Sequence, residues 1–443
     1  MPEAAETVHP GLLRAVSRWQ IVGLAVNDVV GSGIYLLPAA VAALIGAVSV
    51  WAVVLAGLAV ALLVLCFAEA SSYFDQPGGA YLYTREAFGR FVGFEVGWMT
   101  WLSRVAALAS LANGLAQAST SFWPAADSGW PRVAILSGAI LLLALINIRG
   151  VKGGARTAVA LAVAKIVPLV FFIVVGAWSI EGSRLVSPGI PHSGAMGRAA
   201  LLLLFAYGGY ESTPAAAGEY RNPRRDLPFA LLFMVLSVTL IYTAVQVVAV
   251  GTLPGLAQSS SPLADAAARF AGHWGAWLLT WGALLSILGI MGSSTLTGPR
   301  YLFALARDGY GPHWVGRVHR SYRTPALAIA LQTAIVVPLA LSGSFVYLAT
   351  LTVIARLAAN VGTAAALPIL RRRLAHRQSA MRLPLGPAIP LAALVVSITL
   401  LASAMAANLI PVLGALVTGA VIYYFRRPDT GEDAAVRPGP VRE

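Results

Sequence analysis

The stretch Gly23-Leu24-Ala25-Val26-Asn27-Asp28-Val29-Val30-Gly31-Ser32-Gly33-Ile34-Tyr35-Leu36-Leu37-Pro38 decides the fold. It lies within an apolar run at 20–44, long enough to cross a bilayer. Yet Asn27, Asp28 and the Gly31-Ser32-Gly33 triplet interrupt the run near its middle, where glycine relaxes the backbone. Unwound backbone at membrane depth is tolerated only where it lines a cavity. Eleven further apolar runs follow, at 48–68, 91–119, 133–148, 157–180, 199–217, 229–250, 274–305, 326–341, 345–367, 388–406 and 409–425. Lipid satisfies no open sheet edge, and the alternation expected of barrel strands is absent, so these runs are expected to be helices. The composition agrees: 58% of the 443 residues are hydrophobic and 11% charged, against about 25% charged in soluble domains. The expected class is an all-α integral membrane protein of twelve transmembrane helices.

The sixth run is also interrupted halfway, at Leu204-Phe205-Ala206-Tyr207-Gly208-Gly209-Tyr210-Glu211-Ser212-Thr213-Pro214. Two broken helices in corresponding halves point to an inverted-repeat transporter with its site at the bilayer midplane. The first and sixth runs are five apart, an odd number, so repeats starting at each have opposite orientation. Freed amides at a half-helix N-terminus suit a carboxylate, and freed carbonyls suit an ammonium. Close helix packing is the competing role for either glycine cluster alone.

The net charge of +13 raises nucleic acid as a partner, but the positions of the charges argue against it. With the N-terminus inside, the cytoplasmic segments hold Arg14 and Arg18; Arg85 and Arg90; Arg149, Lys152 and Arg156; Arg221, Arg224 and Arg225; Arg307, Arg317, Arg320 and Arg323; Arg371, Arg372, Arg373, Arg377 and Arg382; and Arg426, Arg427, Arg437 and Arg442. The opposite loops hold only Arg132, Arg184, Arg198 and Arg269. This bias expects both termini in the cytoplasm of a multi-pass inner-membrane protein. The single cysteine, Cys66, lies in an apolar run and excludes an internal disulfide. No cleavable signal peptide is expected, since the first 19 residues lack an apolar stretch.

Three stretches resemble the amino acid–polyamine–organocation (APC) superfamily of permeases. They are Gly31-Ser32-Gly33-Ile34-Tyr35-Leu36-Leu37-Pro38; Glu69 to Gly89, with Gln76-Pro77-Gly78-Gly79-Ala80-Tyr81 at its centre; and Phe205 to Pro228, with Tyr207-Gly208-Gly209-Tyr210-Glu211-Ser212 followed by Gly218-Glu219-Tyr220-Arg221-Asn222-Pro223. Arg300 to Gly309 is a weaker echo. The resemblance implies a leucine-transporter-like fold, a five-plus-five inverted repeat with broken helices one and six. After a tail at 1–19 it implies a transport core at 20–367 and two peripheral helices with their basic loop at 368–425, while the composition of 426–443, rich in Pro, Arg and acids, is that expected of a disordered cytoplasmic tail. The resemblance also implies that the amides of Ser32, Gly33 and Ile34, beside Gly31, take the substrate carboxylate. Carbonyls around Phe205, Ala206 and Gly208 would take the amino group, and Phe205 would close over the side chain. Tyr207 and Tyr210 are further lining candidates, with core packing or lipid contact competing.

Ionisable groups within membrane spans are functional candidates by default. Lys165 sits about a third of the way into the fifth run, where burial penalises its charge. A lysine there is similar to that of sodium-independent permeases of the family, in which the ammonium occupies the place of a sodium ion; anchoring at the interface is the alternative. Glu211 resembles a position linked to proton response and is a candidate relay; a neutral acid bonded to backbone is the alternative. Asp28, one turn before Gly31, could attract a cationic group or pair with Lys165. Ser293 and Ser294 resemble positions lining the former sodium site, with helix packing as their other role. Arg104 and Arg356 are expected to face the interior and meet a carbonyl or acid. Glu69 and Glu219 are expected at cytoplasmic helix ends, facing the basic loops.

No nucleophile–base pair, metal-ligand spacing or phosphate-binding loop is present in the sequence. The expected function is secondary transport of amino acids, without sodium, by proton coupling or exchange, and without cofactor, metal or nucleic acid. A polyamine or other organic amine is the alternative substrate; the expected partners are a small molecule and membrane lipid.

Overall fold

The structure, a computed structural model, describes residues 14–120, 123–186, 189, 193–343, 345–376 and 381–426. Most of the two tails lies outside them. In order, the α-helices are α1 (Arg18–Val29), α2 (Ser32–Ile45), α3 (Ser49–Ser71), α4 (Ala80–Phe88), α5 (Arg90–Ser119), α6 (Gly129–Arg149), α7 (Val151–Gly176), α8 (Ser193–Ala206), α9 (Pro223–Thr252), α10 (Pro262–Arg307), α11 (Ala326–Ser342), α12 (Phe345–Arg373) and α13 (Ala388–Phe425). No strand is present among the described residues; Val16 and Tyr220 form one isolated bridge.

Among the described residues, five helical stretches are both long and apolar enough to cross a membrane: Leu37–Ser71, Gly129–Arg149, Val159–Ser179, Pro223–Thr252 and Pro262–Arg307. Their outer faces remain apolar, with Leu55 and Leu58 on α3, Val163 and Val167 on α7, and Leu236 and Leu240 on α9 exposed. Lipid tails are as apolar as leucine, so close packing and polar contacts must hold such helices together. The small residues of α10 serve that end: Gly289, Gly292, Ser293 and Ser294 all lie in its packed segment.

Three features depart from the simple picture of apolar runs. The nine-residue α4 buries Ala80, Tyr81, Leu82, Tyr83, Thr84 and Ala87, although it is too short to cross a bilayer and so escapes a search by span length. The run expected at 274–305 belongs to a 46-residue helix, α10, which bends at Gly272, where φ is 62°. The last two runs fall within α13. Both of its ends lie on the side of the arginine-rich loops: Gly386, just before it, accepts from Arg371, and Tyr423 packs on Phe91 and Tyr310.

The two interruptions are real breaks in the helical ladder. Between α1 and α2, Val30 (φ −71°, ψ 97°) and Gly31 (φ −123°, ψ −159°) are extended. After α8 the chain turns through Tyr207–Gly209 and continues as a 3-10 helix, Tyr210–Glu219. Gly209 has φ 133°, which L side chains rarely adopt, and a Cβ there would lie 2.3 Å from the Asp28 carbonyl oxygen. The two breaks therefore pack directly against each other.

Candidate substrate-binding site

Each break leaves backbone groups that the helices no longer satisfy, and the fold assigns partners to several. The Lys165 ammonium, on α7, donates to the Asn27 carbonyl at 2.7 Å and also to the Val30 carbonyl. Ser286 on α10 donates to the same Val30 carbonyl at 3.2 Å. The Tyr242 hydroxyl, on α9, lies 3.0 Å from the Val29 carbonyl and 3.1 Å from the Ala206 carbonyl. Its single proton serves one of them at a time and so ties the two broken helices together. Asn27 donates to the Gly289 carbonyl at 2.7 Å, fastening α1 to α10.

A cavity of about 40 Å³ lies where the breaks meet, lined by Asp28, Val29, Gly31, Gly33, Ala206 and Gly208 from the broken helices. Arg104, Ala107, Ser110 and Leu111 of α5, Ile290 of α10, and Thr352 and Arg356 of α12 complete it. A single water needs about 10–15 Å³ of such space, so the cavity has room for only a few waters. Anything as large as an amino acid enters only if the walls part.

A second cavity, of about 330 Å³, lies towards the end remote from the arginine-rich loops, lined in part by Tyr35, Gly114, Gln117, Thr280 and Ile287. Leu111 lines both cavities. The opposite end is sealed by ion pairs. Arg300 donates to Glu219 at 2.9 and 3.1 Å, with both side chains buried. Arg371 and Glu69 form two parallel bonds of 2.7 Å, a fork geometry that fixes direction as well as distance. Arg18 meets Asp226 at 2.8 Å, and the Glu219 carbonyl accepts from the Ala15 and Val16 amides. Among the described parts of the bundle, the wall between the two cavities is thus the less heavily tied side.

The family model for amino acid permeases matches this chain over residues 16–434, from just before α1 to beyond α13. The chain belongs to the amino acid permease family. The permease is 29% identical to a methylthioribose transporter of Bacillus subtilis (strain 168), over 88% of each chain. It is 28% identical to the serine/threonine exchanger SteT of the same organism, over 94% of this chain and 98% of that one. It is 26% identical to the branched-chain amino acid permease BcaP of that organism, over 95% and 94%. These relatives are transporters, and the permease is a membrane transporter rather than an enzyme.

Of the residues singled out in the permease sequence, Gly31, Gly33, Ala206, Gly208 and Asp28 line the small cavity. Ile34 is buried but does not line it. The side chains of Ser32 and Phe205 lie outside the described residues. Tyr207 and Tyr210 are directed elsewhere. The Tyr207 hydroxyl donates to the Val53 carbonyl at 3.2 Å, and that of Tyr210 to Asn360 at 3.0 Å. Packing, the competing role, is what these bonds describe.

Of the two roles left open for Asp28, pairing with Lys165 is not the one seen: the ammonium takes the α1 carbonyls instead, and the Asp28 carboxylate has no hydrogen-bond partner among the described residues. Ser293 lies beside Asp28, whereas Ser286, which the sequence reading did not select, shares the Val30 carbonyl with Lys165. Ser294 is buried on the same helix, its carbonyl receiving the Gln332 amide at 3.3 Å.

Glu211, the candidate relay, is held between two arginines. Its Oε1 accepts from Arg104 Nη2 at 2.7 Å and lies 2.8 Å from Arg356 Nε, while its Oε2 accepts the Gly209 amide at 3.0 Å. Arg104 and Arg356 thus meet the acid that their burial requires, and both border the cavity. Tyr301 donates to the Glu211 carbonyl at 2.8 Å, holding its backbone. The sequence contained a signal for this triad, three ionisable residues inside apolar runs, but no indication that they meet.

Proposed function

We propose that the permease is a secondary carrier of amino acids across the cytoplasmic membrane, working by alternating access. In this reading its twelve spans form a leucine-transporter-like, five-plus-five inverted repeat with both termini cytoplasmic. The observation that carries it is the meeting of two broken helices at one cavity, with the N-terminus of α2 and the last turn of α8 on its walls. The free amides at Ser32, Gly33 and Ile34 suit a carboxylate, because a helix N-terminus offers both donors and a favourable dipole. The C-terminal carbonyls of α8 suit the ammonium of the same zwitterion. The serine/threonine exchanger and the branched-chain permease among the relatives support amino acids as the cargo.

Sodium independence follows from Lys165. Its ammonium already occupies carbonyls at the open end of α1, where a sodium ion would otherwise find oxygen ligands. A second cation there is repelled, which leaves protons or exchange to drive transport. Uptake of labelled amino acids into proteoliposomes therefore persists when sodium is replaced by choline, and Lys165→Ala reduces it; strict sodium dependence overturns this part. Gly33 tests the site, since its Cβ would fall 3.1 Å from Ala206 Cα. Gly33→Val abolishes amino acid binding in a protein that remains monodisperse, and wild-type affinity in that variant removes the site from α2.

An amine without a carboxylate is the second reading, and the unpartnered Asp28 carboxylate at the cavity favours it. Arg104 and Arg356, which line the same cavity, oppose it, because a polycation would meet their charge at short range. Competition by putrescine or spermidine against a labelled amino acid separates the two.

A further inference from the structure

The cavity holds more cationic donors than a simple zwitterion uses. Besides the backbone groups of the two breaks, its charged lining is Asp28, Arg104 and Arg356. Glu211 spends its carboxylate on the two arginines, yet it cannot satisfy them. Arg104 Nε and Arg356 Nη1 are buried and have no hydrogen-bond partner among the described residues. Arg104 itself is 1% exposed, and Arg356 lies directly against the broken stretch, where a Cβ at Gly208 would fall 1.3 Å from its Nη1. Around the cavity, Arg104, Arg356 and Lys165 outnumber Asp28 and Glu211. Buried guanidinium donors without partners are costly, and burial normally selects against them. A site that keeps them beside its cavity is one in which something else completes their bonding.

On the proposed-function reading that the cavity takes an amino acid, we infer that the substrate carries a second acidic group on its side chain, and that Arg104 and Arg356 receive it. The three charges of such a substrate then find three different parts of the wall. The α-carboxylate meets the amides of α2, and the ammonium meets Asp28 and the carbonyls of α8. The side-chain carboxylate meets the guanidinium edge contributed by α5 and α12. Arginine suits this role because its planar fork matches a carboxylate and stays charged on burial. Specificity follows from the same donors: a neutral side chain would enter and leave them unpaired, and sites built to bond a polar group discriminate strongly against analogues that lack it. Glu211 acts as a positioning residue in this scheme, cancelling part of the charge and setting the angle of both arginines without touching the substrate.

Isothermal titration calorimetry of the purified full-length permease in detergent, without sodium, against L-glutamate, L-aspartate, L-glutamine and L-asparagine tests this directly. The expected result is that at least one acid binds more tightly than its own amide by about tenfold or more, the scale of one charge-assisted hydrogen bond. In Arg356→Gln the acid-to-amide ratio falls towards unity, and Arg356→Lys restores part of it. Amides that bind as tightly as the acids, or a ratio unchanged in Arg356→Gln, overturn the inference and leave the amino acid reading standing. If none of the four binds, and a panel of neutral and basic amino acids also fails on the same folded sample, the amino acid reading itself falls and takes the inference with it.

Discussion

Replacing Glu211 with glutamine tests the charge arrangement at the centre of the permease with almost no change in shape. Glutamine retains the length of glutamate and one acceptor oxygen, so Tyr301 can still hold the backbone carbonyl at 2.8 Å. What disappears is the negative charge between Arg104 Nη2, 2.7 Å away, and Arg356 Nε, 2.8 Å away. Removing one partner of a buried ion pair costs about 3–5 kcal/mol, because it strands the other charge. Here it strands two, with only Asp28 left nearby as an anion. The glutamine NH₂ must also face a donor, either the Gly209 amide or a guanidinium, which adds about 1–3 kcal/mol unless the site relaxes. A loss of at least about 4 kcal/mol, the two lower bounds taken together, is the expected outcome. At about 2 °C per kcal/mol for a large chain, the melting temperature of the detergent-solubilised protein falls by roughly 8 °C, read by fluorescence-detected size exclusion after heating. Glu211→Asp keeps the charge and loses less. Glu211→Gln combined with Arg356→Gln recovers part of the loss, because one stranded cation goes with the acid. A Glu211→Gln protein that melts within about 2 °C of wild type refutes the reasoning.

Gly209→Ala puts a methyl 2.3 Å from the Asp28 carbonyl oxygen at a residue whose φ is 133°. It is expected to lower the melting temperature and to weaken substrate binding at least tenfold, since only parting the two breaks relieves the clash. Tyr242→Phe removes the hydroxyl shared by the Val29 and Ala206 carbonyls. The expected cost is about 1–2 kcal/mol, read as a modest fall in melting temperature and a change in transport rate larger than the change in affinity. Gln117→Cys places a thiol in the 330 Å³ cavity, whereas the native Cys66 is buried. A membrane-impermeant maleimide is expected to label the variant from the face opposite the termini and to leave wild type unlabelled; labelling from the terminal side alone reverses the assignment of the open side.

The interruptions at Gly31 and Gly208-Gly209 were legible because hydropathy and glycine placement are properties of the chain read in order. The same holds for the long apolar helices: a run of about 20 apolar residues has few alternatives to a membrane helix. The helix α4 was not legible, because nine residues carry too little periodicity to stand out beside the spans. The direction of Tyr207 and Tyr210 was not legible for a related reason. Their neighbours along the chain mark the break, but a tyrosine at a break can turn its ring either way, and here the oxygens of Val53 and Asn360 decide.

Partners distant in sequence could not be read at all. Arg104 and Glu211 are 107 residues apart, Lys165 and Asn27 are 138 apart, and Tyr242 reaches back 213 residues to Val29. The sequence by itself determined that this chain would be helical and apolar, where its helices would break, and that Asp28, Arg104, Lys165, Glu211 and Arg356 fall inside apolar runs; the burial of Glu69, Glu219 and Arg300 was not legible. Only the tertiary structure decided which of those groups meet. It turned Lys165 to the α1 carbonyls rather than to Asp28, and set Glu211 between two arginines. The physical reason is that burial is demanded by each residue's own chemistry, whereas pairing depends on which helix faces bring donors and acceptors within about 3 Å.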